Sequence, residues 1–347
     1  MSLLLNQPSK LCFRKPVLVR SSPLHSDGFS FSSLGSQTLP YAIVCADPCR
    51  PNLVTVVTRR EGDFSPFDRK MPMDLVERMG MIGSSNGWTA AMHKGVVRLR
   101  ENPAPSLKGR DLKSIELPPV VTLPLCQTQM VTNVAMSSSS PEDLDCVVAV
   151  KFFGPQLSFC RYPARSDSEW INMRIPNPSF FSSSVMFSKK DDMFRILGSG
   201  GHLMGSWDLS CKHKNNHNFQ RLRFKNIPKL TETKRELLDS CYVSEHLVES
   251  RTTNETFMVK WYKKTVANTI HGIERMETEA LMVFKLDEEE GNAVYTQDIG
   301  DLVIFLTKSE PLCVPASSFR DMRPNRVKIL DVDETTIVNL AAQNWNC

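Results

Sequence analysis

Five places in this sequence of 347 residues gather side chains that could do chemistry. Asp331-Val332-Asp333-Glu334-Thr335 follows the apolar run Val327-Lys328-Ile329-Leu330. In phosphoryl transfer such a pair of aspartates supplies a nucleophile and a proton carrier, with Mg²⁺ offsetting the charge. That chemistry needs a large α/β body downstream, and only twelve residues follow Thr335, so an acidic turn after a last strand fits better. Gly83-Ser84-Ser85-Asn86-Gly87 fits the G-x-S-x-G elbow of a serine nucleophile, which needs a helix behind it. Trp88-Thr89-Ala90-Ala91-Met92 is strand-like instead, so the expectation is an Asn86-Gly87 turn leading into an inward Trp88. Cys211, His213 and His217 offer three metal-ligand types, yet zinc wants a fourth ligand and a rigid frame, and Lys212 and Lys214 would repel a cation. Gly198-Ser199-Gly200-Gly201 lacks the Lys-Ser/Thr ending of a phosphate loop and reads as a tight hairpin turn. No catalytic residue, metal site or cofactor is therefore assigned.

The fifth place is Leu209–Thr231. It holds Lys212, Lys214, Arg221, Arg223, Lys225 and Lys229, with no Asp or Glu, and Phe219 and Phe224 interleave. Cations with aromatics suit an acidic peptide or a single-stranded nucleic acid. The alternation Arg221-Leu222-Arg223-Phe224-Lys225 also fits a solvated strand with its apolar side turned inward. Lys212, Lys214, Arg221, Arg223 and Lys225 are the candidate partner-binding residues. The net charge of +4 includes +3 from the first forty residues, which leaves +1 for the rest. The body as a whole is thus no polyanion binder, and any basic field is local. The leading expectation is a non-catalytic propeller that binds an unknown protein partner. RNA binding through 209–231 is the alternative, and an enzyme with a central-channel site is a third reading.

The first forty residues place Lys10, Arg14, Lys15 and Arg20 ahead of the first acid, Asp27, among many serines. A secretory signal needs an apolar core of 7–15 residues, and Leu3-Leu4-Leu5 is too short. Basic, serine-rich and acid-poor composition marks a disordered transit peptide. Arg14 and Arg20 favour the mitochondrion, with the chloroplast as alternative, and processing is expected between Arg20 and Pro40. Ten scattered cysteines without a CxxC pair read as small buried hydrophobes in a reducing compartment. The longest uncharged stretch, Leu117 to Pro141, is broken by prolines and is no membrane span.

From Tyr41 onward the chain runs in short β-branched and aromatic segments cut by turn residues. They include Leu53–Val57, Trp88–Met92, Val96–Leu99, Cys146–Phe152, Leu157–Arg161, Met193–Leu197, Leu203–Trp207, Tyr242–Val248, Phe257–Tyr262, Leu281–Leu286, Leu302–Leu306 and Val327–Leu330. Helical periodicity is weak, with Lys70–Met79 and Ser317–Met322 as the two short candidates. Strands at this spacing without intervening helices predict an all-β fold. The length suits an irregular β-propeller of about six or seven blades at roughly 40–50 residues each. Trp88, Trp207 and Trp261 would be blade-packing anchors. The organisation expected is a transit segment over 1–40, a propeller over 41–340 and a tail over 341–347.

Three stretches carry a family resemblance. The first is Gly83 to Trp88 with Ile115-Glu116-Leu117-Pro118-Pro119. The second is Asp145-Cys146-Val147-Val148-Ala149-Val150 with Leu157-Ser158-Phe159-Cys160-Arg161, ending near Trp207-Asp208-Leu209. The third is Val283-Phe284-Lys285-Leu286 with Ile299-Gly300-Asp301, Phe305-Leu306, Ser317-Ser318-Phe319 and Pro324-Asn325. Together, over about residues 75–335, they resemble the plant F-box-associated domain of unknown function that forms a KIB-type, kelch-like β-propeller. The resemblance implies fold and not mechanism, since the family has no catalytic residues to carry over. Its members commonly bear an N-terminal F-box. Here a transit-like tail without a Leu-Pro-led helix stands in that place, so the chain looks like an organelle-targeted branch, and no ubiquitin-ligase core is expected.

Overall fold

The computed structural model describes the backbone of 19–23, 38–46, 53–57 and 69–72. From 81 to 345 it describes all but 87, 102–112, 122, 124–130, 144, 162–168, 209–216, 271–272, 308–309, 319–321, 331–333 and 344. Strands dominate and pair into six four-stranded sheets, the first five antiparallel. The first comprises β1 (Val19–Pro23), β2 (Thr38–Ala46), β3 (Leu53–Val57) and β4 (Arg69–Pro72). The second is β5 (Met81–Ser85), β6 (Trp88–His93), β7 (Val96–Glu101) and β8 (Ser114–Pro119). The third is β9 (Val131–Met136), β10 (Val147–Phe152), β11 (Gln156–Arg161) and β12 (Ile171–Arg174), and the fourth is β13 (Val185–Ser188), β14 (Met193–Leu197), β15 (Leu203–Trp207) and β16 (His217–Arg221). After the short β17 (Arg223–Lys225) comes the fifth: β18 (Tyr242–Ser250), β19 (Glu255–Ile270), β20 (Ile273–Asp287) and β21 (Asn292–Thr296). The sixth has the order β23 (Leu312–Pro315), β22 (Leu302–Thr307), β24 (Arg326–Leu330), β25 (Thr335–Asn339), with β22 and β24 parallel. The fifth and sixth touch through one bridge, Ser250 to Cys313.

The sheets are arranged radially. β1 lies against β5, β5 against β9, β9 against β13, β13 against β18 and β18 against β23. β2 meets β22, which closes the ring. This is a β-propeller of six blades, within the six or seven that its length suggested. β1 falls inside the first forty residues and pairs with β2 from Val19↔Ala42 to Pro23↔Thr38.

Among the described residues four of the five apolar clusters sit between blades, and the fifth, Val303, Phe305, Val314 and Ala316, lies within the sixth. Trp88, Val97 and Leu99 of the second blade meet Val134, Val148, Val150 and Phe152 of the third. Val147, Ala149 and Phe159 meet Val185, Phe194, Ile196 and Trp207 of the fourth. β10 is therefore buried along its whole length: alternate residues face opposite neighbours, so both faces are dry and the strand reads as a continuous apolar run. Met204 and Leu197 meet Met258, Met282 and Phe284 across the next interface, and Trp261, Val259 and Leu281 meet Ile304, Val327 and Ile329 across the last. Trp88, Trp207 and Trp261 are all buried, as expected of packing anchors. Cys146, Cys160 and Cys313 are buried free thiols, and burial lifts them to about 11, about 11 and about 12.

Two helical expectations lie only partly within the described residues. Lys70, Met71 and Pro72 belong to strand β4, where they pair with Thr55, Val54 and Leu53, and 73–80 lie outside the described residues. Ser317 and Ser318 belong to a 3₁₀ turn, Ala316–Ser318, and 319–321 lie outside the described residues. Among the described residues an α-helix, α1 (Glu232–Asp239), is present where none was expected. Thr231 caps it by accepting the Lys234 N–H at 3.3 Å. Eight residues with one fully buried side chain, Leu238, leave little periodicity to read.

Candidate functional site

The basic segment is a strap between two blades. β16 closes the outer edge of the fourth blade by pairing with β15, from His217↔Trp207 to Arg221↔Leu203. One residue later β17 runs parallel to β21 at the outer edge of the fifth, from Arg223↔Asn292 to Lys225↔Val294. At the crossing, the Leu222 N–H donates to the His202 carbonyl at 2.8 Å and the Arg223 N–H to the Gly291 carbonyl at 2.8 Å. Leu222 is 1% exposed and packs with the cluster between the two blades. Phe224 packs against the same cluster, whereas Arg221, Arg223 and Lys225 are exposed. The inward and outward alternation expected from the sequence holds. Lys225 lies 3.8 Å from Glu290, with both side chains more than half exposed, a geometry worth at most about 1 kcal/mol. Phe219 is engaged by the rings of Phe180 at 5.6 Å and Trp207 at 5.9 Å. Lys212 and Lys214, like Cys211 and His213, lie outside the described residues.

A turn from the neighbouring hairpin completes this edge. Gly198-Ser199-Gly200-Gly201 links β14 to β15, as the sequence suggested, with the Gly198 N–H donating to the Leu203 carbonyl at 2.8 Å. Gly201 has φ +72, and a Cβ there would sit 2.6 Å from the Met258 sulfur and 3.2 Å from the Phe224 ring. Only glycine fits both the conformation and the space. This close approach sets the exposed His202 edge-on against Phe224, centroids 4.8 Å apart, while the Lys260 ammonium sits 4.3 Å from the same ring. Desolvation, then the charges of Lys260 and Arg221, hold the imidazole below its ordinary pKa. The Gly200 N–H donates to Glu245 Oε1 at 2.8 Å. Burial raises the Glu245 carboxyl, against that bond and the charge of Lys260.

A second polar cluster lies where the inner strands meet. Asn86, at φ +48 in the turn between β5 and β6, donates its backbone N–H to Glu310 at 3.2 Å. Its side-chain amide donates to the carbonyls of Met136 at 3.0 Å and Ser138 at 3.2 Å, and its Oδ1 accepts from Arg251 at 3.2 Å. Glu249 accepts from the Ser188 hydroxyl at 2.5 Å and the Lys189 N–H at 2.9 Å. Burial raises Glu310, opposed by Arg251, and burial followed by Arg251 lowers the Lys189 ammonium. Both carboxylates thus hold N–H or O–H donors from other blades, which fits a joint between inner strands. Sequence reasoning missed it because its members are 50 to 224 residues apart. The Asn86-Gly87 turn was the one visible sign.

A family model described as KIB1-4 beta-propeller matches residues 61–342. The chain belongs to that family. No curated protein matches it. The KIB1-4 span takes in every strand from β4 to β25, and with them the strap, the His202 corner and the Asn86 joint.

Within the KIB1-4 propeller the serine-elbow candidate resolves into a turn. Ser85 pairs with Trp88 across Asn86-Gly87, so a hairpin and not a strand-to-helix elbow holds the G-x-S-x-G sequence. Asp331 and Asp333 lie outside the described residues, but β24 and β25 flanking them pair as an antiparallel hairpin from Arg326↔Asn339 to Leu330↔Thr335. Among the described residues no cluster of three or more His, Cys, Asp and Glu is placed to hold a metal ion. No helix among them is long and apolar enough to cross a membrane.

Proposed function

We propose that this KIB1-4 propeller is a non-catalytic interaction module that acts inside an organelle and takes an acidic segment of a protein partner along its strap. The observation that carries the reading is the exposure of Arg221, Arg223 and Lys225 on one side of two edge strands whose other side is packed. No Asp or Glu occurs over 209–231, and Glu290 of the β20–β21 turn pairs loosely with Lys225 at 3.8 Å. Edge strands also favour an extended peptide, which can add main-chain hydrogen bonds to charge attraction. RNA is the weaker reading because base stacking needs open aromatic faces. Phe224 is held by His202, Lys260 and Phe284, which leaves Phe219, 42% exposed beside Phe180 and Trp207, as a single partly open ring.

The two readings separate on a direct measurement. Octauridylate and an abasic phosphodiester of the same length should bind the full chain equally weakly, and a labelled hexaglutamate peptide should bind in a salt-dependent manner. A clear preference for the oligonucleotide that carries bases would favour RNA. The organelle rests on the acid-free, basic first twenty-six residues, which precede the family's span. Residues 1–40 fused to a fluorescent reporter should carry it to mitochondria. Plastid import would change the compartment, and a cytosolic or nuclear reporter would remove the organelle.

A further inference from the structure

We infer that His202, Arg221 and Lys260 form a carboxylate-binding corner at the strap, and that protonation of His202 makes capture of the acidic segment tighten as pH falls. The inference rests on the acidic-partner reading above. Its basis is geometric. His202 is exposed, and it and Lys260 rest on the same Phe224 ring, at 4.8 and 4.3 Å. Arg221, on β16, lies one residue before Leu222, whose N–H bonds the His202 carbonyl. Three elements therefore bring three cation-forming side chains to one place: the β14–β15 turn, β16 and β19.

The charged neighbours of His202 decide the sign. From β19 comes Lys260 and from β16 comes Arg221, and both disfavour the imidazolium. From β18 comes Glu245, which the Gly200 N–H and the charge of Lys260 engage. In the free protein the imidazolium is thus disfavoured, and His202 takes up its proton below its ordinary value of about 6.5. An incoming carboxylate reverses the balance, since it is attracted to all three cations and favours the imidazolium. Binding then takes up a proton, so affinity rises as pH falls.

The test is hexaglutamate titrated into the full chain at pH 7.5 and 5.5, where its carboxyls, with pKa near 4.3, stay mostly ionised. The wild type should gain about three- to tenfold in affinity at pH 5.5, the scale of one added charge at close range. His202→Gln should lose most of that gain, and any remainder belongs to Glu245. His202→Arg carries the charge at both pH values and should bind about equally at each, near the low-pH affinity of the wild type. A wild-type affinity that is flat with pH, or a full gain retained by His202→Gln, overturns this inference and leaves the strap reading standing. Absence of hexaglutamate binding at both pH values overturns the two together.

Discussion

Lys151 is fully buried, and its ammonium donates to three carbonyl oxygens, those of Phe152, Gly154 at 2.8 Å and Phe181 at 3.1 Å. It ties the β10–β11 turn to the chain entering the next blade. Within Val147-Val148-Ala149-Val150-Lys151-Phe152 the sequence shows only a lysine in an apolar strand, which reads as an outward residue. Its inward role depends on Phe181, thirty residues away, so it was not legible. Lys151→Met should cost about 3 kcal/mol by leaving buried carbonyls unpaired, seen as a lower denaturant midpoint, and an unchanged midpoint would refute the role. Glu288 is the second such residue. Burial alone would raise its carboxyl, but bonds from Arg195 at 2.5 Å and Lys190 at 2.8 Å prevail and hold it at about 2. A carboxyl depressed in the folded state stabilises above its unfolded value of about 4.3, and that contribution disappears as pH falls from there to about 2. The amount is on the order of 3 kcal/mol. Glu288→Gln should lower stability at pH 7 and flatten its fall between pH 5 and 2, both measured by denaturant titration.

At the scale of elements the strap separates stability from charge. Leu222→Ala removes a side chain shared by two blades and should cost about 2–4 kcal/mol. Arg223→Gln, on the exposed side one residue away, should move stability by within about 0.5 kcal/mol. Equal melting midpoints for the two variants would mean the strap stitches nothing. The alternation that distinguishes Leu222 from Arg223 was readable in the sequence, as were most apolar strands: Leu53–Val57, Met193–Leu197 and Leu203–Trp207 fall on β3, β14 and β15 to the residue. The elements that escaped are those with weak patterns. β16, His-Asn-Phe-Gln-Arg, carries a single aromatic among polar residues, and β13 and β23 span four residues each. α1 could have been found from its cap, since Thr231 followed at once by Glu232 is a helix-start signal. What no pattern announced is that β16 and β17 belong to different blades, because a single buried Leu222 separates them.

For the whole molecule, the ring makes the last strands essential to the rest. Deletion from Val327 removes most of β24 together with β25, uncovering β22 and the apolar interface of Trp261, Val259 and Ile304. The truncated protein should be insoluble, and the full chain should melt as one cooperative unit. A soluble, folded truncation ending at Arg326 would contradict the closed ring. The number of blades was bounded from length but not fixed by it, because closure is made by a contact between strands far apart in the chain, β2 with β22. On the proposed function, the exposed charges of the strap capture an acidic segment. The direct measurement is the hexaglutamate affinity of the full chain and of the triple variant Arg221→Gln, Arg223→Gln, Lys225→Gln, at 50 and 200 mM salt. The variant should bind at least tenfold more weakly at 50 mM, with a shallower salt dependence and an unchanged melting midpoint. Equal affinity and equal salt dependence in a variant that melts like the wild type would contradict it.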